Sequence, residues 1–192
     1  MSRGKTRQKY NDSWMYILLL STLVILIESL KTYKFNLMGT PVTYSMFLIP
    51  FIFTVTNYIT KKYGFRRTLT SIIISTIALM AFVAIMNFAI GRELHFSSIS
   101  GGLLGYIISQ LVNTMIYKFL LVNTDSPYIL ILLNYIFGFI VFYLIYTIVH
   151  IDIVITTAFW QSYFIVLAIQ SVMSVILTLF DKKVKVGLGK DD

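Results

Sequence analysis

The chain has 192 residues, 57% of them hydrophobic and only 12% charged, with a formal net charge of +8. A water-soluble globule cannot hide that much apolar surface behind so thin a polar skin, so a soluble fold is excluded. Disulfides, thiolate metal sites and a cysteine nucleophile are excluded too, because the chain contains no cysteine.

A helical crossing of the roughly 30 Å hydrocarbon layer takes about 20 residues. Six crossings consume about 120 and leave only short connections and two polar tails. The expected architecture is an all-α membrane protein: one domain, residues 1–192, built as a six-helix transmembrane bundle. Helix 1 is expected over about 13–30, behind Arg3, Lys5, Arg7 and Lys9. That start has the charge pattern of a signal peptide. The apolar run is too long, however, no small-residue cleavage site follows, and Glu28, Lys31 and Lys34 lie near its end, so it is taken as a retained helix. Helix 2 is expected over about 41–60 with Pro50 near its middle, helix 3 over about 69–90 and helix 4 over about 99–121. Helices 5 and 6 are expected over about 127–149 and 153–180, the last being the longest and suited to tilting.

Charge predicts orientation. The N-terminal tail, the 2–3 loop (Lys61, Lys62, Arg66, Arg67), the 4–5 loop (Lys118) and the C-terminal tail (Lys182, Lys183, Lys185, Lys190) carry 13 basic residues. The alternate loops carry Lys31, Lys34 and Arg92. Basic residues stay on the cytoplasmic side, so both termini are expected in the cytoplasm of a multi-pass protein of the cell membrane, an inner membrane in a bacterium. The same reasoning assigns the positive charge to topology and the bilayer, not to nucleic acid.

Polar groups at membrane depth must find partners, which makes them the best functional clues in such a chain. On helix 4, Gly101, Gly105, Ser109 and Asn113 recur every four residues, with Gln110 beside them. The small stripe suits close helix packing. Two amides at one depth go beyond what packing requires and suit a cavity wall. On helix 2, Pro50 removes a backbone donor and is expected to kink the helix, either for structure alone or to line a cavity, with Asn57 two turns on. Helix 5 adds Asn134 and Gly138, and helix 6 adds Gln161 and Gln170. Together these amides predict a polar pocket at the bundle centre. Tyr44, Tyr58 and Tyr106 are placed either in the interfacial belt or against a flat ligand. Glu28 is expected to pair locally with Lys31 at the interface, and His150 and Asp152 to lie in a solvated turn.

No nucleophile elbow, HExxH or phosphate-binding loop occurs, so an enzyme is not expected and no catalytic residue, metal or cofactor is assigned.

The run from Met38, MGTPVTYSMFLIPFIFTVTNYITKKYGFRRT, resembles the second-helix signature of the queuosine precursor transporter family, also called the vitamin uptake transporter family. Ile49-Pro50 stands for that family's Phe-Pro, Asn57 falls where it has Asp, and Lys61 where it has Glu. Tyr63-Gly64 and Arg66-Arg67 fit as they stand. Ser109-Gln110 matches its fourth-helix Ser-Gln, with Asn113 in place of Asp. Phe139 falls about where a fifth-helix Asp would be. The resemblance implies a six-helix carrier that imports a deazapurine such as a queuosine precursor. The replacement of Asp by Asn implies a different and less cationic solute and the loss of proton-coupling sites.

The expected function is import of a small flat solute. Its binding residues are expected to be Asn57, Gln110, Asn113, Asn134, Pro50, Tyr44 and Ser109, with helix rearrangement around Pro50 alternating access. Two alternatives stay open: a substrate-binding subunit of an energy-coupling-factor importer, and a non-transporting membrane scaffold or assembly protein whose amides pair with each other. Expected partners are the small-molecule solute, the lipid bilayer and either a second copy or a partner membrane subunit.

Overall fold

The computed structural model describes the backbone of residues 3–37, 39–90 and 96–123, with helical residues at 133, 136–138, 140, 141 and 144 and at positions between 164 and 179. Expected helices 5 and 6 lie mostly outside the described residues, as do Asn134, Gln161, Gln170, His150, Asp152 and the basic C-terminal tail. The described chain is mostly helical: α1 is Arg3–Leu30, α2 is Ile49–Tyr63, α3 is Phe65–Ile90 and α4 is Phe96–Asn123. Three of these helices carry segments long and apolar enough to cross a membrane, Ser13–Leu30, Phe65–Ile90 and Leu103–Leu120. Those segments contain no proline, so each helix closes its backbone hydrogen bonds within itself, as a lipid environment demands.

Burial shows how the helices are used. In α1, Ile17, Leu20, Ser21 and Val24 are buried at helical spacing, while Met15, Leu18, Leu19 and Leu26 are exposed. In α3 the inner face is small and hydroxylated, with Thr68, Ser71 and Ser75 fully buried, and the outer face carries Ile73, Ile77, Met80 and Phe88. Large apolar residues outside and small ones at the contacts is the distribution of helices that pack within lipid. The core joins Leu20, Val24, Ile52, Ile59, Ile72, Leu79 and Tyr106 across α1 to α4.

Helix 2, expected over about 41–60, begins only at Ile49, and here alone among the described elements the mostly helical chain departs from the all-α expectation. Residues before it form an antiparallel hairpin of β1 (Lys34–Leu37) and β2 (Thr40–Thr43), then a 3-10 turn at Tyr44–Phe47. The register sets Phe35 opposite Val42 and Asn36 opposite Pro41. Local chemistry accounts for this. Gly39 takes φ +82° at the turn, where a side chain would be strained. Pro41 brings no N–H and is tolerated in an edge strand, and Val42 and Thr43 are β-branched. Val42 is fully buried, and Phe35 packs on Tyr44 and Phe47 with centroids 5.0 and 5.9 Å apart.

Pro50 likewise does not kink a helix. It lies in the first turn of α2, where its missing N–H is one that no intrahelical carbonyl needs and its fixed φ favours the start. The expected freed carbonyl in mid-helix is therefore absent.

At the other end α2 passes into α3 through Gly64, with φ +88° and ψ 168°. The Gly64 N–H donates to the Thr60 carbonyl (3.0 Å), the Thr68 N–H donates to the Gly64 carbonyl (3.2 Å), and the Thr60 and Thr68 hydroxyls lie 3.0 Å apart. α1 is fastened to this corner by Arg67, whose Nε–H donates to Ser13 Oγ at 2.9 Å and whose guanidinium stacks 4.8 Å from the Trp14 ring centroid. Glu28 pairs with Lys31 at the opposite end of α1.

Two substitutions test this description by unfolding of the detergent-solubilised chain. Gly64→Ala places a side chain in a region open essentially to glycine alone and should cost about 1–3 kcal/mol. Pro50→Ala should cost only about 0.4–1 kcal/mol, through the unfolded state, and leave helix content unchanged. A loss of several kcal/mol would instead place Pro50 in a strained interior.

Candidate functional site

The buried face of α4 repeats at helical spacing: Gly105, Tyr106, Ser109, Gln110, Asn113, Thr114 and Tyr117. It faces α2 and α3. On α2, Pro50, Phe53 and Asn57 follow at intervals of three and four residues and are all buried, so they share a face. The two faces meet at the amides. Asn113 Nδ2 donates to Asn57 Oδ1 at 3.0 Å, across 56 residues of sequence. Asn113 is fully buried, Gln110 is 2% exposed and Asn57 is 6% exposed.

The bonding capacity of this group is not used up. Asn113 Oδ1 and Gln110 Oε1 are both buried and have no hydrogen-bond partner among the described residues. Each such acceptor costs about 1–3 kcal/mol relative to a satisfied one. A further backbone closes on them: a Cβ added at Gly138 would lie 3.2 Å from Asn113 Oδ1 and 3.0 and 3.1 Å from the Phe53 ring edge. Gly138 therefore presents bare main chain to the unpartnered Asn113 oxygen.

The structure thus brings together Asn57, Gln110 and Asn113 of the expected set. Pro50 shares their face two turns before Asn57, and its carbonyl accepts a bond from Thr54 Oγ1 at 2.9 Å. Ser109 is buried, but its hydroxyl donates to the Tyr106 carbonyl of its own helix at 2.9 Å. Tyr44 lies in the 3-10 turn ahead of α2, exposed, with its ring against Phe35. Asn134 lies outside the described residues. Tyr106, considered for the belt or for stacking on a ligand, is buried, and its hydroxyl lies 2.7 Å from Ser75 Oγ, a bond between α3 and α4. Phe53 was not singled out from sequence, although its position four residues before Asn57 puts it on the same helix face.

Carboxamides do not titrate near neutral pH. They accept and donate hydrogen bonds, so the chemistry available to these three side chains is recognition. Among the described residues no group of three His, Cys, Asp or Glu side chains could hold a metal ion.

A double-mutant cycle with Asn57→Ala and Asn113→Ala should give a coupling energy of about 0.6 kcal/mol and at most about 1.7, the range of interhelical hydrogen bonds in membranes. Gly138→Ala should cost about 1–3 kcal/mol by overpacking against Phe53 and Asn113, again read from unfolding.

No family model matches the chain, and neither a curated protein nor a solved structure matches it, so the chemistry of the site follows from its own side chains.

Proposed function

We propose that the chain is a membrane carrier for a small, flat, neutral solute whose N–H or O–H groups are received by Asn113 and Gln110. The observation that carries this reading is the pair of buried amide oxygens, one turn apart on α4, that find no partner among the described residues. At membrane depth such acceptors need donors, and the described residues supply none; a solute with N–H or O–H groups would. Phe53 brings a buried aromatic ring to the same place, its edge beside Gly138. The likeness of the segment around Pro50 and of Ser109-Gln110 to queuosine precursor transporters makes deazapurines, nucleobases and related vitamins the first solutes to test. Neutral amides in place of carboxylates favour an uncharged member of that class.

The carrier would cross the membrane six times with both tails in the cytoplasm. Three long apolar helices and the segregation of 13 basic residues to one set of loops support that topology. The Asn57–Asn113 bond favours a second reading, a non-transporting scaffold in which the amides fasten helices. That reading leaves the two unpartnered oxygens unexplained.

A thermal-shift screen of the purified chain against these solutes should find a stabilising ligand. Gln110→Leu should weaken its binding roughly tenfold, the equivalent of about 1.4 kcal/mol for one lost hydrogen bond. Stabilisation that survives both Gln110→Leu and Asn113→Leu would reject the site, and the absence of any ligand would favour the scaffold. Topology can be read without background labelling because the chain lacks cysteine. In intact cells Lys34→Cys should react with a membrane-impermeant maleimide, while Ser2→Cys and Lys190→Cys should be protected.

A further inference from the structure

At the end of the bundle that carries Lys61, Arg66 and Arg67, α1 and α2 build an aromatic platform outside the amide site. Tyr16 of α1 and Tyr58 of α2 pack with ring centroids 4.7 Å apart and hydroxyls 3.3 Å apart. Tyr63 lies 6.1 Å from Tyr16. The Lys62 ammonium stands 5.6, 5.5 and 5.3 Å from the centroids of Tyr16, Tyr58 and Tyr63. A lysine at a membrane interface ordinarily extends toward water, with its head free to wander. Here three ring faces from two helices hold it in one place. Among the described residues no carboxylate pairs with it; the ion pair of Glu28 and Lys31 lies at the other end of α1. Lys62 is exposed and Tyr58 is 39% exposed, so the open side of the ammonium and the phenol face look out of the bundle.

The depth of this platform is set by its neighbours. Trp14 and Tyr16 open the apolar run of α1, and Lys62 stands one residue before the end of α2. Both positions belong to the headgroup layer. Next to them the exposed Leu18 and Leu19 continue along α1 into the hydrocarbon.

We propose that the Tyr16–Tyr58–Lys62–Tyr63 platform binds the phosphate of an acidic phospholipid, with Lys62 as the cation and the Tyr58 hydroxyl, which accepts from Tyr16, as a further donor. The phosphate oxygens accept from the ammonium, whose opposite side is screened by rings that cannot neutralise it. The acyl chains lie along the leucines of α1. Lys61, Arg66 and Arg67 add a positive field that disfavours the cationic head of a zwitterionic lipid. This site is independent of whether the chain carries a solute.

The test uses the full chain in detergent, offered phosphatidylglycerol or phosphatidylcholine, with retained lipid counted by native mass spectrometry. Phosphatidylglycerol should be retained at least about fivefold over phosphatidylcholine. Lys62→Gln should abolish that preference. Lys61→Gln, which removes the same charge one residue away, should keep it. Lys62→Arg should also keep it, and Tyr58→Phe should reduce it while leaving the melting temperature unchanged. Inorganic phosphate at millimolar concentration should not displace the lipid. Equal losses in Lys61→Gln and Lys62→Gln would show a diffuse field in place of a site and overturn the proposal. So would an unchanged preference in Lys62→Gln, a loss in Lys62→Arg as complete as in Lys62→Gln, or displacement by inorganic phosphate.

Discussion

Within the interior of an α-helix every backbone N–H is already taken, and that constraint sorts the polar side chains of this protein. A hydroxyl can donate to a carbonyl of its own helix and be satisfied there. Ser21 does so to Ile17, Thr56 to Ile52, Thr60 to Thr56, Thr76 to Ile72 and Thr114 to Gln110, all at 2.7–2.9 Å. An amide can use its N–H in the same way, as Asn87 does toward the Val83 carbonyl at 2.8 Å. Its oxygen has no such recourse, because its own helix interior offers no free donor. A buried amide oxygen must look outside its helix. Asn57 Oδ1 finds Asn113; Asn113 Oδ1 and Gln110 Oε1 find nothing among the described residues.

Polar bonds and apolar packing together join the four helices. α1, α2 and α3 meet at the Gly64 corner through Thr60, Thr68, Arg67, Ser13 and Trp14, over a core of Leu20, Val24, Ile52, Ile59 and Ile72. α4 packs on that core through Tyr106, Leu103, Ile107 and Leu111, and two polar bonds tie it to the others: Asn113 to Asn57 and Tyr106 to Ser75. Polar bonds can exchange partners with water or a solute at little net cost, whereas apolar packing cannot be substituted without opening a void.

How much of this was legible in the sequence differs from element to element. The crossings in α1, α3 and α4 follow from apolar length alone; α3 and α4 extend the expected limits by two to four residues, and α1 begins ten residues earlier, at Arg3. The Asn57, Gln110 and Asn113 group was legible because amides are rare enough in such spans to stand out and fall at helical spacing. Helix 2 misled because Pro41, Val42 and Tyr44 prolong the apolar run backward from Pro50. A proline in the middle of an apolar run looks like a kink, and the same proline seven residues after the end of a strand is a helix start. Periodicity alone cannot tell the two apart, since the difference lies in the pairing of β1 with β2. The approach of Gly138 to Asn113 was out of reach for a related reason: nothing local names the partner of a glycine.

The late start of α2 has a bearing on the bilayer itself. Fifteen helical residues rise only about 22 Å, some 8 Å less than the usual hydrocarbon thickness. The hairpin ahead of it has two open edges, which hydrocarbon cannot solvate and which therefore belong among headgroups and water. A crossing made by α2 alone would be short for the layer, a hydrophobic mismatch that a thin or easily deformed bilayer relieves.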